Sequence, residues 1–100
     1  MFKIEFENND ELIIYPYGEL DIYTTPKFKE EVMDKYKKEL KDIVIDGENL
    51  EYLDSTGLGA FIYILNEIKK DGKKLATKNL KPSIKKLFTI TKLDKVFEMR

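Results

Sequence analysis

The chain opens with apolar and charged residues in alternation: Phe2, Ile4 and Phe6 stand among Lys3, Glu5 and Glu7. A period of two is the mark of a half-buried strand. Asn8-Asn9-Asp10 follows as a turn signal, and Leu12-Ile13-Ile14-Tyr15 returns as the second arm of an antiparallel hairpin. Pro16 has no N–H to give to a ladder, which places it at an edge or a bulge. Gly18-Glu19-Leu20-Asp21-Ile22-Tyr23 reads as a loop. From Thr24 the period changes to that of a helix, with Thr25 as its cap and Pro26 at its first position. Phe28, Val32, Tyr36 and Leu40 form the buried stripe of that helix. Glu30 and Glu31 lie early in it and Lys35, Lys37 and Lys38 late, in keeping with the helix dipole.

Ile43-Val44-Ile45 is an unbroken apolar run, as expected of a strand covered on both faces. A second helix is predicted from about Thr56 to Lys70 and stops at Asp71-Gly72. Lys74 to Thr77 forms another short strand. Pro82 opens a third helix with Ile84, Leu87 and Phe88 turned inward. Leu93, Val96 and Phe97 pin the C-terminus by a last turn or short strand. The order β-β-α-β-α-β-α predicts a single α/β domain over residues 1–100. Its sheet is expected to be four-stranded, mixed and mostly parallel, with the first strand antiparallel and the helices packed against it.

Composition narrows the function. Eighteen basic residues against nineteen acidic ones give no electrostatic case for nucleic acid. Cysteine and histidine are both absent, which removes disulfides, zinc-thiolate sites, thiol catalysis and the commonest general base. No metal or other cofactor is expected. No apolar run approaches the roughly 18 residues of a membrane span, and the N-terminus lacks the apolar centre of a secretion signal. The expectation is a cytoplasmic protein with no membrane partner.

The segment Tyr52-Leu53-Asp54-Ser55-Thr56-Gly57-Leu58-Gly59-Ala60-Phe61 organises what remains. It lies at the mouth of the second helix, where Asp54, Ser55 or Thr56 can cap free N–H groups. A helix N-terminus tolerates an anion, so a serine there is a place to put a phosphate and take it off again. Along the helix, Leu58, Phe61, Ile62, Leu65 and Ile68 share one face. Ala60, Tyr63 and Ile64 fall outside it. Either the fold covers this helix on two sides, or these three residues make an exposed apolar patch for a partner. Exposure of Ile64 distinguishes the two. Gly57 and Gly59, two glycines in one turn, imply close approach of another backbone. That backbone belongs either to the loop after Gly18 or to a partner.

Leu53-Asp54-Ser55-Thr56-Gly57-Leu58-Gly59 resembles the signature of the anti-sigma factor antagonists, bacterial members of the STAS domain family. Gly18-Glu19-Leu20-Asp21 is similar to the family's second motif, and the resemblance covers essentially the whole chain in element order and length. It implies a partner switch. The unphosphorylated protein binds an anti-sigma factor, typically a serine kinase, and so frees a sigma factor. The same kinase phosphorylates the serine that maps onto Ser55, and a serine phosphatase resets it. The resemblance places partner contacts at Gly18, Asp21, Asp54, Ser55, Thr56, Gly57 and Gly59, to which the apolar surplus adds Ala60, Tyr63 and Ile64. Thr56 is assigned mainly a capping role, and Asp21 is balanced between bracing its loop and touching a partner. Gly47-Glu48 departs from the family pattern. The implied state is a monomer or weak dimer.

Three other readings compete. Ser55 has no histidine to activate it, which argues against an enzyme. Asp21, Asp46 and Asp54 gathered at strand ends would bind Mg²⁺ in a phospho-aspartate switch. A nucleotide- or ligand-sensing STAS module without phosphorylation is the third, although no phosphate-cradling glycine-lysine motif is present.

Overall fold

The computed structural model describes residues 2–100. The elements are β1 (Lys3–Asn8), β2 (Leu12–Leu20), α1 (Thr25–Glu39), β3 (Ile43–Asp46), β4 (Leu50–Leu53), α2 (Ser55–Lys69), β5 (Leu75–Lys78), α3 (Pro82–Ile90), a 3₁₀ turn at Leu93–Lys95, and β6 (Glu98–Met99). β1 and β2 form the expected antiparallel hairpin, in register from Lys3 opposite Tyr17 to Asn8 opposite Leu12. The sheet runs β1-β2-β3-β5-β6, with β4 attached to β2 and every pairing after the hairpin parallel. The fold is therefore the expected α/β domain with a mixed, mostly parallel sheet, but its sheet has six strands rather than four.

Both additional strands escape the periodicity argument for a physical reason. β4 is four residues long and buries Leu50 and Leu53 while exposing Glu51 and Tyr52, so it never alternates. β6 has two residues. β2 is also longer than expected, since Gly18, Glu19 and Leu20 belong to it and only Asp21–Thr24 form the loop. Pro16 does not end the strand. On the side away from β1, pairing with β3 stops at Ile14 and pairing with β4 begins at Gly18, so no parallel ladder calls on Pro16 there. The bulge falls between Gly18 and Glu19 instead, and Gly18 takes the positive φ of 95° that an L side chain resists.

Four phenylalanines tie the helices together. Phe28 of α1 packs on Phe61 of α2 at 5.8 Å between ring centroids, Phe61 on Phe88 of α3 at 6.0 Å, and Phe88 on Phe97 at 5.4 Å. Phe97 is buried, which is how the C-terminus is held, whereas Val96 is 52% exposed and takes no part. Leu40 also leaves its expected stripe. It is the left-handed C-cap of α1, with φ 49°, and faces solvent, while Met33 fills the core in its place. α1 begins one residue before the expected position, with Thr24 rather than Thr25 at its N-cap.

The two glycines of α2 have different causes. A Cβ on Gly57 would come within 2.5 Å of a Leu53 methyl and 3.0 Å of the Leu20 carbonyl oxygen, so the end of β2 requires glycine there. A Cβ on Gly59 would meet nothing within 4 Å. Gly57→Ala is therefore expected to destabilise the domain by about 1–3 kcal/mol through overpacking. Gly59→Ala should stabilise it by up to about 1 kcal/mol through helix propensity. Urea denaturation of the two variants tests this: shifts of the same sign would contradict the assignment.

Candidate functional site

The site is built by β2 and β4 running side by side. Beyond the Gly18 bulge, Glu19 pairs with Tyr52 and Leu20 with Leu53, so the two strands end together. The Asp54 N–H then donates to the Leu20 carbonyl at 3.2 Å, fastening the start of α2 to the end of β2. The loop Asp21–Thr24 and the mouth of α2 thus become neighbours, although 33 positions separate Asp21 from Asp54 in the chain.

At the helix mouth the cap is Asp54. Its backbone is extended, and its Oδ1 accepts the Thr56 N–H at 2.9 Å and the Gly57 N–H at 3.0 Å. The capping role expected of Thr56 is therefore corrected. Thr56 supplies an N–H to the cap, and its own side chain is exposed. Ser55 is the first helical residue, exposed to solvent, and its hydroxyl has no hydrogen-bond partner among the described residues. It is not the cap that its position in the sequence allowed. With Asp54 holding the donors, the serine oxygen is left outside the fold's own network.

The loop side is equally well determined. The Asp21 carboxylate accepts the N–H groups of Tyr23 at 2.9 Å and Thr24 at 3.1 Å. The Thr24 hydroxyl accepts the Asp21 N–H at 3.0 Å and donates to the Glu19 carbonyl at 2.7 Å. Asp21 thus braces its own turn. Between this loop and β4 lies an open groove of about 480 Å³ lined by Phe2, Gly18, Glu19, Asp21, Thr24 and Glu51. Glu51 was not singled out from the sequence, and Glu19 entered only as a member of the Gly18–Asp21 motif, because their meeting depends on the unpredicted strand β4.

The structure overturns the proposed apolar patch on α2. Ile64 is fully buried and Ala60 is 4% exposed, so both belong to the core and neither is available to a partner. The helix is covered on two sides by its own fold. Tyr63 alone of the three remains open, at 43% exposure, with the Lys29 ammonium 4.6 Å from its ring centroid. Gly57 is likewise explained by contact with Leu20. Gly59 is exposed, in open space beside Ser55 and Tyr63 on the outer face of α2.

Asp21, Asp46 and Asp54 do not assemble a cation site. Asp46 is buried and accepts the Glu48 N–H at 3.0 Å and the Asn79 side-chain amide at 3.3 Å. Among the described residues no cluster of three or more potential ligands occurs. Nor is any helix among them long and apolar enough to cross a membrane.

A family model described as "STAS domain" matches residues 3–100, nearly the entire chain. The chain belongs to the STAS domain family. An anti-sigma-B factor antagonist of Staphylococcus aureus is 38% identical to this STAS domain over 76 residues, which are 76% of this chain and 70% of the relative. One from Listeria monocytogenes is 33% identical over 98 residues, 98% of this chain and 86% of the relative. The Bacillus cell fate determinant SpoIIAA, solved in its phosphorylated form, shares the fold with a TM-score of 0.75 at 20% identity, covering 100% of this chain and 91% of that one.

The division of labour between Asp54 and Thr56 gives a direct test. Asp54→Ala is expected to cost this STAS domain about 1 kcal/mol by removing the cap. Thr56→Ala should stay within about 0.5 kcal/mol of wild type. Chemical denaturation reads both, and a larger loss at Thr56 than at Asp54 would reverse the assignment.

Proposed function

We propose that this STAS domain is an anti-sigma factor antagonist that works by partner switching. In its unphosphorylated form it occupies an anti-sigma factor that is also a serine kinase, and the sigma factor is released. The kinase transfers a phosphoryl group to Ser55 and the complex separates. A serine phosphatase removes the group and restores binding. The observation that carries this reading is the position of Ser55, a solvent-facing hydroxyl on the first residue of α2 that the domain does not use for itself.

The chemistry suits a switch that acts without refolding. A phosphate brings about −1.5 to −2 charges at neutral pH and three acceptor oxygens. Asp54 already holds the Thr56 and Gly57 N–H groups, so the new group projects outward into the space a partner fills. A partner surface fitted to a small neutral hydroxyl then faces steric bulk and the desolvation of a dianion. Ser55 needs no base of its own, since the kinase provides one. Gly59 and the exposed edge of Tyr63, on the same outer face of α2, give the partner room to come close.

The ligand-sensing alternative finds little support in the groove beside the site. Glu19, Asp21 and Glu51 line it, and carboxylates repel the phosphates of a nucleotide where such sites normally present N–H groups and cations.

Incubation with the cognate anti-sigma factor and ATP should place one acid-stable phosphate on Ser55, read by mass spectrometry. Ser55→Ala should bind that factor as wild type does and resist release by ATP. Ser55→Asp should bind at least about tenfold more weakly in calorimetry. Equal affinity of the two variants, or a phosphate on an aspartate, would contradict the mechanism.

A further inference from the structure

Two neighbouring apolar side chains on the loop between β2 and α1 stand in water. Ile22 is 64% exposed and Tyr23 is 88% exposed. Single exposed apolar residues are ordinary. An adjacent pair on a turn that the fold has braced is another matter. Asp21 holds the N–H groups of Tyr23 and Thr24, Thr24 ties back to Glu19, and the Thr25 N–H reaches the Asp21 carbonyl at 3.0 Å. Such a loop loses little conformational freedom when another surface closes over it. Tyrosine supplies a large contact area with only two torsions to fix.

The position of the pair matters as much as its exposure. The β2–β4 pairing sets the loop beside Asp54 and Ser55, so the pair is continuous with the switch site. Next to it runs the groove lined in part by Glu19, Asp21 and Glu51. Among the described residues Glu51 alone of these carboxylates is paired with a cation, to Lys81 at 3.6 Å and in the open. The groove side of the pair is therefore lined by carboxylates, with Lys27 in the first turn of α1 on the helix side, and the groove suits a partner whose rim is cationic.

We infer that Ile22 and Tyr23 are the apolar anchor by which this domain holds its anti-sigma factor, seated in an apolar pocket of that protein with basic residues around it. The inference rests on the partner-switching reading and names an apolar anchor in the loop next to Gly18 and Asp21, which the family resemblance already counts among the partner contacts. Buried anchors of this kind, tyrosine above all, carry much of the energy of an interface. Their loss is felt in dissociation, whereas the acidic groove acts on association and is weakened by salt.

The test is surface plasmon resonance against the purified serine-kinase anti-sigma factor of the same cell. The double variant Ile22→Ser/Tyr23→Ser should raise Kd by about thirtyfold or more, chiefly through faster dissociation. Both side chains are exposed, so its urea midpoint should match wild type. Tyr23→Phe should bind within about threefold of wild type, and so should Ile90→Ser, which changes an equally exposed apolar residue on α3. Raising NaCl from about 50 to about 300 mM should slow association several-fold. A double variant within about threefold of wild type overturns the anchor. If Ser55→Asp still abolishes binding in that case, the switch stands and only the anchor falls. If the double variant loses binding while Ser55→Asp keeps it, the anchor stands and the switch falls. Wild type that does not bind the anti-sigma factor at all overturns both.

Discussion

The site depends on a short parallel pairing of β2 with β4 that a single bulge carries to the ends of both strands. Past Ile14 the second strand leaves its partner β3 behind, from Gly18 it takes up β4, and the two end side by side at Leu20 and Leu53. A single hydrogen bond, Asp54 N–H to Leu20 carbonyl, then fixes where α2 begins. The loop of residues 21–24, the helix mouth and the groove between them follow from that junction. Gly57 marks how tight it is, since a methyl group there would press on the Leu20 carbonyl oxygen and the Leu53 side chain.

At this junction the fold settles its own polar needs with two aspartates. Asp21 satisfies the N–H groups of its turn, and Asp54 satisfies the first donors of α2. A donor shielded from water and left unsatisfied would cost stability, so both carboxylates are committed to structure. Ser55 is left with no such duty. Its hydroxyl is chemically available because its neighbour has done the capping, and a modification there need not undo the helix. The same logic separates the two glycines of the motif. Gly57 answers to the domain's own packing, and Gly59 lies in open space on the surface that faces outward.

Much of this was legible in the sequence. Alternation over Phe2–Glu7 gave the first hairpin arm, a continuous apolar run gave β3, fourfold recurrence after Thr25-Pro26 gave α1, the apolar run ending at Asp71-Gly72 gave α2 to within a residue, and Pro82 gave the start of α3. The motif Asp54 to Gly59 located the helix mouth. What escaped has a common cause. β4, the extension of β2 and β6 are short segments whose strand character comes from neighbours distant in the chain, and no local period records them. Ala60 and Ile64 were misplaced for a related reason. A helical wheel shows which residues share a face but not how many faces the fold will cover, and here α2 is packed between the sheet side and its neighbouring helices. Which of Asp54, Ser55 and Thr56 would cap was likewise undecidable from residue type, since all three can do so.

In the proposed switch two chain-distant segments, Leu20–Thr24 and Asp54–Gly59, form one continuous recognition surface. Hydrogen–deuterium exchange of the domain, alone and bound to its anti-sigma factor, measures this directly. Amide protection should rise in both segments together on binding, while α3 and β6 are unchanged, and should vanish when Ser55 is phosphorylated. Protection confined to α3 and β6, with both segments unaffected, would contradict this switch.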